Sequence, residues 1–117
     1  VGMSANTNRP SYQIGFYLKE QGYNIYPVNP NCDKIDELKC FSNLNEIKDS
    51  IDIINIFRHP DHVLPIVNDS IKINPKVIWF QDGVVNCEAI DLANKNGIQT
   101  IVDDCIYRRH NVYINSN

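Results

Sequence analysis

Apolar positions along the chain switch between helical spacing and strand alternation, with neither a linker nor a repeat between them. Residues 11–21 place Ile14, Tyr17 and Leu18 at helical spacing, with Ser11 as the expected N-cap and Gly22 as the stop. Residues 23–28 alternate as a strand that Pro27 brings to an end, and Asn29-Pro30-Asn31 turns the chain. A polar stretch follows, holding a short strand at 39–41 and a short helix at 44–48. The branched run 51–57 is the strongest strand, with the composition of a parallel strand covered on both faces. Arg58-His59-Pro60 breaks it. A helix then starts near Pro65 and runs to about Ile73, with Ile66, Val67, Ser70 and Ile71 as its inner stripe. Residues 76–80 form the next strand, Asn86 caps a helix over 87–96, Gly97 ends it, and 99–102 is the last strand. The polar tail from Asp103 carries no assignment. Val1-Gly2 reads as the end of a strand that begins upstream of residue 1.

Strands separated by helices of about ten residues predict an α/β, Rossmann-like doubly wound domain spanning 1–117. Its mainly parallel five-stranded sheet would carry helices on both faces. In such sheets ligands bind at the carboxyl ends of the strands, where strand order reverses. Four segments therefore matter: 2–11, 29–31, 57–60 and 81–84.

Composition narrows the chemistry. The chain has 117 residues, 43% of them hydrophobic and 21% charged, enough for a core without metal or disulfide support. A net charge of −3 argues against nucleic acid as a main partner, so an anionic ligand must meet local positive charge. Cys32, Cys40, Cys87 and Cys105 form neither a C-x-x-C pair nor a zinc spacing. No apolar run approaches the roughly 20 residues of a membrane helix. These features imply reduced thiols and a cytoplasmic protein.

In the first loop Gly2 would admit a close ligand, Ser4 offers a hydroxyl, Ser11 opens a helix, and Arg9 carries a fork suited to phosphate. Ser11 as a mere cap and Arg9 as a solvated charge explain the same residues. A dinucleotide site would need G-x-G-x-x-G here and an acidic residue where Asn29 stands. Phe57 could wall an adenine and Arg58 pair with a second phosphate. His59 and His62 fit a turn better than a metal site, and Trp79 fits the core. Gly83 suits a tight turn, and Asp103-Asp104 a strand end facing water. Cys105 near Arg108, Arg109 and His110 is the one cluster that could activate a thiol, although a buried inert cysteine followed by a basic turn is the favoured reading.

The segments V-G-M-S, R-P-S-Y, G-Y-N-I-Y-P-V-N-P, D-I-I-N-I-F-R, I-W-F-Q-D-G-V-V-N and D-D-C-I occur here in order over nearly the whole chain. Together they resemble the free-standing CoA-binding proteins, a Rossmann-type family similar to the CoA-binding domain of the succinyl-CoA synthetase α subunit. The resemblance implies that Gly2, Ser4, Arg9, Pro10 and Ser11 take the CoA phosphates. It implies that Asn29, Pro30, Phe57 and Arg58 line the nucleotide end, and that Gln81, Gly83 and Val84 border the pantetheine path. Asp82 stands where the family usually has a neutral residue such as leucine. The synthetases' second domain, with its phosphorylated histidine, has no counterpart here. The expected role is therefore binding of coenzyme A or an acyl-CoA without catalysis, as a homodimer or beside a synthetase or acyltransferase. The alternatives are thiol exchange or acyl transfer at Cys105 or Cys40, and an NAD(P)-binding or protein-interaction domain.

Overall fold

The computed structural model describes residues 1–115. Three short strands, β3 (Ile53–Ile56), β4 (Val77–Phe80) and β5 (Gln99–Val102), form a parallel sheet in the order β3-β4-β5. Ile54 pairs with Ile78, and Ile78 with Thr100. Before them, β1 (Lys34–Ile35) and β2 (Leu38–Lys39) make a separate antiparallel hairpin. Where the sequence predicts five parallel strands, the regular sheet has three.

Hydrogen bonds of the parallel type nevertheless continue beyond β3. Val1 donates from its nitrogen to the Asn55 carbonyl (2.6 Å) and accepts from the Phe57 N–H (2.9 Å). Gly2 N–H reaches the Val28 carbonyl at 2.8 Å, and Val28 forms a one-residue parallel bridge with Phe41. In space the order is Phe41, Val28, Val1–Gly2, β3, β4, β5. The chain thus winds outward in both directions from Val1–Gly2 and β3, which is the switch point of a doubly wound sheet. The expected strand over 23–28 is reduced to extended backbone paired near Val28, because Pro27 has no N–H to give to a ladder.

The helices α1 (Pro10–Glu20), α2 (Val63–Ile73), α3 (Cys87–Lys95) and α4 (Ile106–Asn115) cover both sheet faces. Alternation along β4 separates two cores. Ile78 and Phe80, both fully buried, pack with Val63 and Val67 of α2 and with Ala89 and Ala93 of α3. Trp79 faces the other way, against Ile14 and Leu18 of α1 and Ile106 of α4, and its Nε1 donates to the Asp104 carbonyl at 2.8 Å.

Several boundaries differ from the sequence reading for local reasons. Pro10 occupies the first position of α1, which moves the N-cap to Arg9. Ser11 lies inside the helix, and its hydroxyl accepts from the Ser4 N–H (2.9 Å). A 3-10 turn at Pro60–His62, capped by the His59 ring, leads into α2 two residues ahead of Pro65. The expected helix at 44–48 is a 3-10 turn at Leu44–Glu46 with a capping box from Asn43. Within the unassigned tail, Ile106–Asn115 forms α4: Ile106 is buried, and Tyr17 meets Tyr107 and His110 edge-on, with its hydroxyl 2.8 Å from His110 Nδ1.

The Asn86 cap also bridges two elements. Its Oδ1 accepts from the Ala89 N–H and its Nδ2 donates to the Pro60 carbonyl, each at 3.0 Å, so it ties α3 to the turn after β3. Asn86→Ala is expected to cost about 1–2 kcal/mol, read in thermal unfolding as a loss of roughly 3–10 °C.

Candidate functional site

The switch point is built on Gly2. Its φ of +84° is left-handed, and a Cβ there would lie 2.3 Å from the Phe57 carbonyl oxygen and 3.0 Å from Arg58 Cδ. The close approach expected for a ligand is thus made by the protein's own backbone, which locks the first loop against the end of β3. Gly15 makes room in a similar way, because its missing Cβ leaves space for Met3, whose Cε would be 2.5 Å away. Helix α1 therefore lies tightly on the strand end, the packing a dinucleotide fingerprint assigns to its third glycine.

The loop from Ser4 to Arg9 is pinned by its own polar atoms. Ser4 Oγ accepts from the Asn6 N–H (3.0 Å), Asn6 Oδ1 from the Asn8 N–H (2.9 Å), and the Asn6 carbonyl from the Arg9 N–H (3.0 Å). Ser4 and Ser11 each use their oxygen as an acceptor, so each hydroxyl proton remains available to an anion. The Tyr12 and Gln13 N–H groups turn back to the Arg9 carbonyl. The positive end of the α1 dipole thus opens beside two hydroxyls and the exposed Arg9 and Pro10.

A cleft of about 290 Å³ is lined by Gly2, Val28, Pro30, Arg58, His62 and the carboxylate residue Asp69, among others. Gly2, Pro30 and Arg58 thus meet on one cleft. Among the described residues, neither the Arg9 nor the Arg58 guanidinium has a hydrogen-bond or ion-pair partner, so both are available to a ligand.

Other predicted residues are committed within the fold. Asn29 Nδ2 donates to the Met3 carbonyl (3.0 Å) and its Oδ1 accepts from the Asn31 N–H (2.9 Å), so this side chain stitches the second segment to the first. Phe57 is half-buried and packs with the α1/α4 core. Gln81 is buried, with its Nε2 2.5 Å from Asn55 Oδ1, and Val84 is buried in the larger core. Gly83, at φ +77°, donates its N–H to Asp103 Oδ1 (2.8 Å). The 81–84 turn lies outside the 290 Å³ cleft.

The acidic residues are also spoken for. Arg108 grips Asp82 with both nitrogens at 3.1 Å, which neutralises the carboxylate that stands out in the sequence. Asp104 does not face water: Arg109 Nε lies 2.5 Å from it and Arg108 2.9 Å away, and these bonds hold its carboxyl below the usual carboxylate range against the opposing pull of burial. The two arginines expected to activate Cys105 are thus turned onto carboxylates. Burial pushes the Cys40 thiol up, and its Sγ sits 3.6 Å from the Asn29 carbonyl.

Asn55 and Gly15 escaped the sequence reading. Each had a signal: Asn55 is a polar residue within an isoleucine run, and Gly15 an isolated glycine inside a helical pattern. No helix among the described residues is long and apolar enough to cross a membrane.

The fold is thus a doubly wound α/β domain with a glycine-locked loop and two exposed arginines at the switch point of its sheet. The chain belongs to the CoA binding domain family, whose model matches residues 1–111. It is 35% identical over 112 residues to the uncharacterized protein YneT of Bacillus subtilis strain 168, covering 96% of this chain and 83% of that one. It is 41% identical over 69 residues to the ADP-forming acetate–CoA ligase II of Archaeoglobus fulgidus, covering 57% of this chain and 10% of the ligase. The structure of a hypothetical protein from Pyrococcus horikoshii OT3 superposes with a TM-score of 0.91 at 33% identity, covering 94% of this chain and 78% of that one.

Proposed function

We propose that this domain binds coenzyme A or an acyl-CoA at the switch point of its sheet, as a binding module without chemistry of its own. The observation that carries the reading is the pair of unpartnered guanidiniums, Arg9 and Arg58, flanking the loop that Gly2 locks at the start of α1. Family membership supplies the ligand class. Arg9, Ser4 and Ser11 beside the positive helix end, with Pro10 shaping the turn, receive phosphate. Arg58, Pro30 and Gly2 receive the phosphorylated nucleotide end, with Asn29 and Phe57 holding the walls. The Gly83 turn, which Gln81 and Val84 anchor from within, borders the pantetheine arm. The buried Cys40 thiol and the paired Arg108 and Arg109 argue against thiolate chemistry at Cys40 or Cys105. Four free cysteines accord with a reducing, cytoplasmic setting.

Calorimetric titration with CoA, acetyl-CoA, dephospho-CoA and NADPH tests the proposal. CoA and acetyl-CoA are expected to bind with similar affinity, because the thiol end lies away from the arginines, and dephospho-CoA at least several-fold more weakly. NADPH binding as tightly as CoA would replace the proposal with a dinucleotide site, and silence from all four ligands would end the binding reading.

A further inference from the structure

Two of the four cysteines converge on one backbone oxygen. The Asn29 carbonyl accepts from the Cys32 N–H at 3.4 Å and from the Cys40 thiol, whose Sγ lies 3.6 Å away. The Cys32 nitrogen and the Cys40 sulfur thus face one another across a single atom. The hairpin ladder agrees. Lys34 pairs with Lys39, and the Cys40 N–H continues the pairing to the Asp33 carbonyl at 2.9 Å. Asp33 therefore lies opposite Cys40, with Cys32 one residue further along. Directly opposed residues of such a pair have Cα atoms about 5.5 Å apart, which puts those of Cys32 and Cys40 roughly 6 Å apart. A disulfide spans about 4.4–6.8 Å between Cα atoms.

Strand alternation alone would send the two side chains to opposite faces. The chain bends at Asp33, however, which releases Cys32 from that alternation. Half-buried Cys32 instead packs against the small core of Met3, Ile35 and Cys40, beside Tyr12 and Phe16 of α1. The other two thiols are placed elsewhere. Cys105 packs in the α1/α4 core, and the exposed Cys87 opens α3 on the opposite face of the sheet.

We propose that Cys32 and Cys40 are a redox modification site, a dithiol that a low-molecular-weight disulfide converts to an intramolecular disulfide across the base of the hairpin. The Cys32 thiolate attacks one sulfur of the small disulfide, forming a mixed disulfide and releasing one small thiol. Cys40 then gives up its proton and attacks Cys32 Sγ, forming the protein disulfide and releasing the second small thiol. The two cysteines together lose two electrons and two protons, and the small disulfide gains both. The order follows from access. Burial pushes the Cys40 thiol up, Cys32 adds to the rise and the bond to the Asn29 carbonyl opposes it, so Cys40 is a poor first attacker. Its own step is intramolecular, where held geometry compensates for a scarce thiolate.

The bond acts on the segment that leaves the 290 Å³ cleft. Cys32 follows Pro30, which lines that cleft, by two residues, so oxidation ties this wall to the hairpin. It also removes the S–H donor from the Asn29 carbonyl and leaves only the Cys32 N–H there. Losing that donor weighs against the oxidised form, which keeps the disulfide within reach of thiol reductants. A reversible pair of this kind is what a reducing compartment tolerates.

The test equilibrates the reduced 117-residue chain with mixtures of glutathione and glutathione disulfide, folded and in urea, followed by acid quenching, alkylation and mass spectrometry. After trypsin, peptide 20–34 is expected linked to peptide 40–48, with Cys87 and Cys105 absent from any protein disulfide. The equilibrium constant for forming this link should be at least tenfold higher in the folded chain than in urea. By the same linkage the oxidised chain should melt about 5 °C or more above the reduced one. Cys40→Ala is expected to halt at the mixed disulfide on Cys32, and Cys32→Ser to leave the Cys40 thiol unreacted until urea is added. Should either variant fold poorly, the folded-to-urea ratio of the parent decides alone, since it needs no substitution. Equal constants in the two conditions overturn the proposal. So does glutathione retained on Cys32 of the parent, or a link from Cys32 or Cys40 to Cys87, to Cys105 or to a second chain. Calorimetry with CoA on the reduced chain reads the arginine site independently, so the two proposals fail separately.

Discussion

Replacing Arg9 or Arg58 by alanine is expected to weaken CoA binding about ten- to a hundredfold, and replacing both to weaken it by roughly the product. A hydrogen bond to a charged group contributes about 1.5–3 kcal/mol, and each 1.4 kcal/mol is a factor of about ten in Kd. The two guanidiniums stand on different elements, Arg9 at the N-cap of α1 and Arg58 just beyond β3. If they meet different phosphates, their effects add. If they share one, the double replacement loses less than the sum, so a double-mutant cycle by calorimetry distinguishes the two arrangements. Both side chains are exposed and lack partners, so the replacements should leave Tm within a degree or two, and a weaker Kd then reports on the site. Both contacts are at the surface, so raising salt should shrink the effect. Lys95→Ala, a substitution of an exposed cation at the end of α3 that does not line the cleft, serves as the control for net charge. Parent-like affinity in both single variants would remove the arginines from the site and leave the helix start and the serines as the only phosphate candidates.

Legibility in the sequence followed how far each residue's partners lie along the chain. Strands β3, β4 and β5 and helix α3 were readable because each states its own structure locally, in branched apolar runs, an asparagine cap and a glycine stop. Helix α4 was not, because its apolar contacts are few and its anchor is a tyrosine–histidine contact made 93 residues away. The site shows the same division. Arg9 and Arg58 stand where the switch-point argument placed them. The commitment of Asn29 to the Met3 carbonyl and of Gln81 to Asn55, each across 26 residues, has no signature in spacing. Asp82 is the clearest instance: an odd carboxylate in the sequence, it is half of a bidentate pair with Arg108, again 26 residues off. Both ends of that pair are more than half exposed, so it contributes little to stability and chiefly keeps an unbalanced negative charge out of the turn.

Gly2→Ala should be the most damaging single-methyl change in the chain, costing about 2–4 kcal/mol, because two penalties fall on one atom. The left-handed φ of +84° is strained for any residue with a Cβ, at about 1–2 kcal/mol. The second penalty is contact: 2.3 Å from the Phe57 carbonyl oxygen is far inside van der Waals distance, and the obstacle is backbone, which cannot swing away as a side chain would. Either Val1–Gly2 must lift from β3, giving up the bonds at Asn55, Phe57 and Val28, or the end of β3 must move and carry Arg58 with it. Gly22→Ala separates the terms, since φ there is +99° with no atom within 4 Å of the new methyl, and it should cost the strain alone. Thermal unfolding of the two variants should therefore differ by roughly 5 °C or more, with Gly2→Ala the lower. Gly15→Ala provides the opposite contrast: its new methyl meets only the flexible end of Met3, which can rotate aside, and the alanine favours the helix. If Gly2→Ala unfolds no earlier than Gly22→Ala, the loop is not locked on the Phe57 carbonyl, and the position assigned to Arg58 fails with it.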